Sequence, residues 1–247
     1  MKKLKEIKLI KSNKNLKLNS KLKPIIATSI SGLFIKNDPW KKAHLLWFNE
    51  REKELIMQKK DTSIIKKWKI EYKKNQSKES KNYFNYVDKI MIELYPEMSD
   101  KERTTKARDL FFKSVLTYIE LYPEVMNNEI IRYFYSIKNK YRIALITTNS
   151  QSSIHQILSI TKLINLFDII ESSLPEEKDN KNLVFNRFIK KYNKPLLYIG
   201  GDNISSFEYC KNKKISAVYS NLENTDAIKG VKSFNNLLEL EEIIDNL

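Results

Sequence analysis

Ile25 to Ile30 (IIATSI) is a mostly apolar run with no strict alternation, the pattern of a strand covered on both faces. Ser31 and Gly32 follow as a turn, Leu33 to Ile35 continue apolar, and Lys36, Asn37, Asp38 and Pro39 end the segment. From Pro39 to about Tyr122 the spacing turns helical. Trp40, Ala43, Trp47 and Leu55 fall close to one face of a first helix to about Gln58. Asp61 to Ser63 can cap a second helix through Tyr72, with Asn75 to Ser80 as a polar break. Tyr83, Val87, Ile90, Met91 and Leu94 form a third stripe closed by Pro96, and Ser99 with Glu102 is a capping box opening a fourth helix through Ile119.

Beyond Pro123 the period changes again. A helix over about Asn128 to Lys138 precedes the strand-like Arg142 to Asn149 (RIALITTN), and a helix over Ser153 to Leu163 precedes a short strand at Asp168 to Ser172. A polar loop with Lys178 and Lys181 and a helix from Asn182 to Tyr192 lead into Pro195 to Asn203 (PLLYIGGDN). There Leu196 to Ile199 form a buried strand, Gly200 and Gly201 break it, and a helix runs from Ile204 to Lys213. Ser216 to Ser220 is the last strand and Asn235 to Asp245 the closing helix. Strands alternating with helices predict an α/β fold with a doubly wound parallel sheet, and the helical stretch after the first strand reads as an all-helical insertion.

The chain has 247 residues, enough for one large domain or a core with an insert. Its net charge of +15 raises nucleic acid as a partner. Two features argue against that: the excess is 39 Lys against 6 Arg, and the richness in Asn, Ile and Lys is what an AT-rich coding sequence favours. Residues 1–23 are a basic lead that reads first as a flexible tail, with a short arm laid on the body by its interleaved Leu and Ile as the alternative. The lone Cys210 excludes an internal disulfide and suits a reducing, cytoplasmic setting. His44 and His155 read as structural and surface histidines, no Cys/His cluster has zinc spacing, and no run reaches the length of a membrane span.

Candidate chemistry gathers at three strand ends, which share one edge in a parallel sheet: Ser29 and Ser31, then Thr148 and Asn149, then Asp202, with Lys178 from a loop. Hydroxyl, amide and ammonium groups suit a phosphate's oxygens, and a carboxylate at Asp202 is a candidate metal ligand. Each has an ordinary alternative. Thr148 and Asn149 can cap the next helix, Asp202 or Asn203 can cap the helix at Ile204, and Lys178 can be solvated.

In this order the elements resemble the haloacid-dehalogenase-like hydrolases, mostly phosphatases, from about Pro24 to the end. IALITTN looks like that family's second motif, with Thr148 as the phosphate-binding hydroxyl. Lys178 looks like the third-motif lysine, with Lys181 as substitute because the prolines that often follow it are absent. YIGGDN looks like the fourth motif, with Asp202 as a magnesium ligand. The resemblance implies a Rossmann-like core over 24–36 and 123–247, a helical cap over 37–122 and a basic extension over 1–23. The first motif departs from the pattern. Where the family has Asp-x-Asp, nucleophile then general acid/base, this chain has Ser29-Ile30-Ser31, and Ser206 stands where a second fourth-motif acid is usual. The expectation is a catalytically impaired protein that keeps a pocket for a small phosphorylated or anionic ligand, with a weakened magnesium site. The alternatives are a divergent magnesium-dependent phosphohydrolase using Ser29 or an unplaced acid, and a basic nucleic-acid or protein-interaction module.

Overall fold

The computed structural model describes residues 23–74, 83–177, 180–201, 204–224 and 227–247. Six strands form one sheet: β1 (Ile25–Thr28), β2 (Arg142–Ile146), β3 (Ile169–Glu171), β4 (Leu197–Gly200), β5 (Ser216–Ser220) and β6 (Lys232–Phe234). Their order is β3-β2-β1-β4-β5-β6 and every pairing is parallel. The chain moves outward from β1 to β3, then crosses back to start β4 on the other side of β1. That reversal is the switch point at which open α/β sheets bind ligands.

The sheet is buried on both faces, which explains the unbroken apolar runs. Ile25, Ala27, Ala144, Ile146 and Tyr198 pack with Val184, Phe185 and Phe188 of α7 (Lys181–Tyr192) and Phe207 and Cys210 of α8 (Ile204–Lys213). The alternate residues Ile26, Ile143, Leu145 and Ile199 are equally buried. The remaining helices of this unit are α5 (Asn128–Ile137), α6 (Gln151–Ile160) and α9 (Leu237–Asp245).

A second compact unit spans Asn37–Val125, between the parts of the chain that build the sheet. It holds α1 (Asp38–Met57), α2 (Ser63–Lys74), α3 (Tyr83–Leu94) and α4 (Asp100–Leu121). Trp47, Leu55, Trp68, Ile90, Met91 and Leu94 make its core, and the Trp47 indole donates to the Ala107 carbonyl at 3.2 Å. The Ser99 capping box is present in full, and Asp61 Oδ1 accepts the Ser63 amide at 2.8 Å. The fold is therefore α/β, a doubly wound parallel sheet with an all-helical insertion. Among the described residues no helix is long and apolar enough to cross a membrane.

Three expectations need correction. Ser216–Ser220 is not the last strand, because β6 adds a sixth at the edge; with one buried residue, Phe234, it leaves no periodic signal. Gly200 does not break its strand but pairs with Tyr219 as the end of β4. The second apolar run stops being strand at Ile146, so Thr147 to Asn149 form the turn after it.

Candidate functional site

The carboxyl ends of β2, β1 and β4 stand side by side. Thr28 is level with Leu145 on one side and Ile199 on the other, so the residues after them leave the sheet together. Ser29 opens the β1 turn. Its amide donates to the Ile199 carbonyl at 2.9 Å, extending the ladder by one bond. Its hydroxyl accepts the Gly201 amide at 3.1 Å and donates to the Ser31 carbonyl at 3.2 Å. The residue is 1% exposed. Ser29 thus joins two turns that lie 172 residues apart.

Those turns touch backbone to backbone. A Cβ on Gly32, whose φ is +71°, would stand 2.4 Å from the Gly201 carbonyl oxygen, and one on Gly201 would stand 2.5 Å from the Gly32 carbonyl carbon. The Ser220 hydroxyl, at the end of β5, donates to the Gly32 carbonyl at 2.7 Å. Ser31 is buried in the same turn.

After β2, Thr147 is buried and Thr148 half-buried. Asn149 is buried; its amide donates to Thr147 Oγ1 at 3.1 Å and its carbonyl accepts from the Ser173 amide at 3.0 Å. Capping of α6 falls to neither Thr148 nor Asn149. Ser150 does it, accepting the Ser153 amide at 3.2 Å, which corrects the capping alternative for both residues. Thr148 and Asn149 stay in the turn at the strand edge, beside the end of β1.

Lys178, Asp202 and Asn203 lie outside the described residues. Lys181 opens α7 rather than lying in the loop before it. It is 5% exposed, with Nζ 5.5 Å from the centre of the Tyr198 ring. Ser206, at the usual place of a second acid, is fully buried on α8, and its hydroxyl has no hydrogen-bond partner among the described residues. His155 is exposed on α6. The Cys210 thiol is buried and pushed up to about 12 by that burial, so it holds its proton and is no nucleophile near neutral pH.

One charged cluster was not anticipated. The Arg187 guanidinium of α7 donates to Glu171 at the end of β3, to Glu177 at 3.1 and 2.8 Å, and to the Ser172 carbonyl at 2.6 Å. Glu177 Oε2 also accepts the Leu174 amide at 2.7 Å, and Lys191 reaches Glu171 at 2.9 Å. Glu171 and Glu177 are both buried. The cluster fastens β3 and the 3₁₀ turn Pro175–Glu177, the residues just before Lys178, to α7. In sequence its one trace is a rare arginine in a lysine-rich chain.

The described part of the edge offers hydroxyls, an amide and backbone donors. The Ser29 hydroxyl has its proton and one lone pair engaged by backbone, and among the described residues no imidazole, amine or carboxylate is bonded to it as an activating base. The described donors include no carboxylate of the kind magnesium seeks; Asp202, the matched carboxylate, lies outside the described residues. Among the described residues no group of three or more His, Cys, Asp or Glu is placed to hold a metal.

No family sequence profile and no curated protein sequence matches the chain. Solved structures do. YfnB from Bacillus subtilis, named as a HAD-hydrolase and solved with magnesium bound, aligns at 11% identity and a TM-score of 0.54, covering 90% of this chain and 99% of that one. A haloacid-dehalogenase-like hydrolase from Streptococcus pneumoniae aligns at 14% and 0.54, covering 90% and 98%. A protein described as a predicted phosphatase from Clostridium acetobutylicum aligns at 15% and 0.53, covering 92% and 100%. Each alignment takes in both compact units, and the chain therefore has the fold of the haloacid-dehalogenase-like hydrolases.

Proposed function

We propose that this protein binds a small phosphorylated or otherwise anionic ligand at the β2-β1-β4 edge and does not form an aspartyl-phosphate. The observation that carries the proposal is the use of Ser29. At the position matching the family's nucleophile, the side chain is an alcohol, buried, and hydrogen-bonded on both sides to backbone. It stitches the site together instead of facing a substrate.

Thr148 and Asn149, on the turn after β2, are the ligand-binding groups in this proposal, joined by Lys178. Asp202 is the one carboxylate matched to a magnesium ligand, which makes any magnesium site a weakened one. Residues 24–36 and 123–247 then act as the core and 37–122 as the cap. A phosphorylated ligand is favoured by the phosphatase and hydrolase names of similar structures, and by the fit of hydroxyl and amide donors to phosphate oxygens.

A panel of phosphate esters with saturating magnesium tests this. The expected result is no turnover above buffer, while inorganic phosphate binds in a titration that Thr148→Val with Asn149→Ala weakens. Magnesium-dependent turnover abolished by Asp202→Ala would overturn the proposal in favour of a divergent phosphohydrolase.

A further inference from the structure

All strand pairings are parallel, so the six strands begin on one edge of the sheet, opposite the edge that carries Ser29 and Thr148. Over β4, β5 and β6 that amino-terminal edge is basic. Residues 193–196 (NKPL), 211–216 (KNKKIS) and 227–232 (AIKGVK) lead into or open these strands and hold six lysines and no carboxylate. Leu197 pairs with Ser216 and Val218 with Lys232, which sets the three segments side by side. The Lys194 ammonium donates to the Lys213 carbonyl at 2.7 Å and ties the first segment to the second. All six lysines are exposed, and none forms an ion pair with a described residue.

Ordinary structure accounts for part of this charge. Lys211 and Lys213 sit in the last turn of α8, where cations complement the helix dipole. Lys214, Lys229 and Lys232 lie outside any helix and have no such role. A lysine-rich composition spread evenly over the surface does not give this pattern either, since α9 (LLELEEIID) carries Glu239, Glu241, Glu242 and Asp245 and no basic residue. Unpaired like charges on adjacent strands repel one another, and a bound polyanion turns that cost into attraction. The groups between the lysines select the kind of polyanion. Asn193, Asn212 and Ser216 are exposed, and side-chain amides and hydroxyls bond to phosphate and sugar oxygens. A membrane-binding surface interleaves its lysines with large apolar side chains; in these segments Leu196, 38% exposed, is the one exposed example. They contain no aromatic residue on which unpaired bases could stack and no arginine to read base edges.

We propose that the amino-terminal edge of β4, β5 and β6 binds the sugar-phosphate backbone of a double-stranded nucleic acid without reading its sequence. The lysines of the three segments meet the phosphates as point charges, and Asn193, Asn212 and Ser216 bond between them. This surface lies on the edge of the sheet away from Ser29 and Thr148, so it acts independently of the anion site proposed there.

Titration of the full chain with DNA and RNA duplexes of arbitrary sequence, at salt from about 50 to about 200 mM, tests it. One variant combines Lys211→Gln, Lys214→Gln, Lys229→Gln and Lys232→Gln. A control removes the same charge from exposed lysines of the helical unit, by Lys66→Gln, Lys67→Gln, Lys89→Gln and Lys113→Gln. Residues 1–22 carry eight lysines and are common to both, so their share cancels in the comparison. The edge variant is expected to bind at least about tenfold more weakly at the lower salt, and its slope of log K against log salt to be shallower by about 3 to 4, at about 0.9 per phosphate contact. The control is expected to change affinity by less than about threefold, because charges beyond a Debye length are screened. Single changes at Lys214 and Lys232, each expected to take about 0.9 from the slope, carry the test if the fourfold variant does not fold. A preference for DNA or for RNA names the source of the backbone, and either supports the proposal. Equal losses from edge and control variants would overturn it by making binding a matter of net charge. So would a parent chain that ignores duplexes but binds phosphatidylserine vesicles through the same lysines.

Discussion

Gly32 and Gly201 set the geometry of the strand edge more firmly than any polar side chain. Each lacks room for a methyl group because the other's backbone occupies it, and Gly32 also has a positive φ. Gly32→Ala is expected to destabilise the protein by about 3 kcal/mol or more, since strain and backbone collision add; urea unfolding checks this. At Gly230, where φ is +77° but nothing lies within 4 Å, the same change costs only the backbone strain and makes the control. His44 gives a second residue-scale prediction. Its ring, on α1, lies against Phe111 of α4, and burial holds its pKa down to about 4 from 6.5. The folded ring is neutral while the unfolded one protonates below about 6.5. Stability from this source is therefore complete above that pH and falls away as pH drops toward 4. The full effect is about 3 kcal/mol, because each pK unit is worth about 1.4. His44→Phe should flatten the dependence of the urea midpoint on pH in that interval.

At the scale of elements, charge fastens the turn between β3 and α7. Arg187 satisfies two buried carboxylates and a carbonyl with one planar fork. Arg187→Met is expected to cost about 3–5 kcal/mol by stranding those carboxylates, a loss seen in urea unfolding. Arg187→Lys should recover little of it, because one ammonium cannot bridge both acids in the same plane. The chain order of α/β elements was plain from periodicity. This cluster was not, because glutamates in a polar loop look solvated until the fold closes over them.

For the whole molecule, the lysine excess predicts charge-driven association with any polyanion. Binding to nucleic acid is expected to be indifferent to sequence and to fall at least about tenfold from about 50 to about 200 mM salt, as counterion release dictates. Filter binding with unrelated duplexes checks this; a sequence preference that survives the higher salt would support a dedicated nucleic-acid site. The other charge feature at this scale is asymmetry. The acidic face of α9 stands apart from the basic remainder, and net charge alone conceals it.

The sequence by itself determined the α/β class, the helical insertion between β1 and the rest of the sheet, and the alcohols at Ser29 and Ser31. These are readable because periodicity follows burial on one or both faces, and because residue identity at a turn needs no coordinates. Only the tertiary structure decided that Ser29 bonds to Gly201, that Gly32 and Gly201 interlock, and that Ser150, not Thr148 or Asn149, caps α6. It alone revealed β6 at the edge and the buried Arg187 cluster. The bonds of Arg187 to Glu177 and of Ser29 to Gly201 join residues 10 and 172 positions apart, and a bond between separate turns leaves no period in a chain for a reader to find.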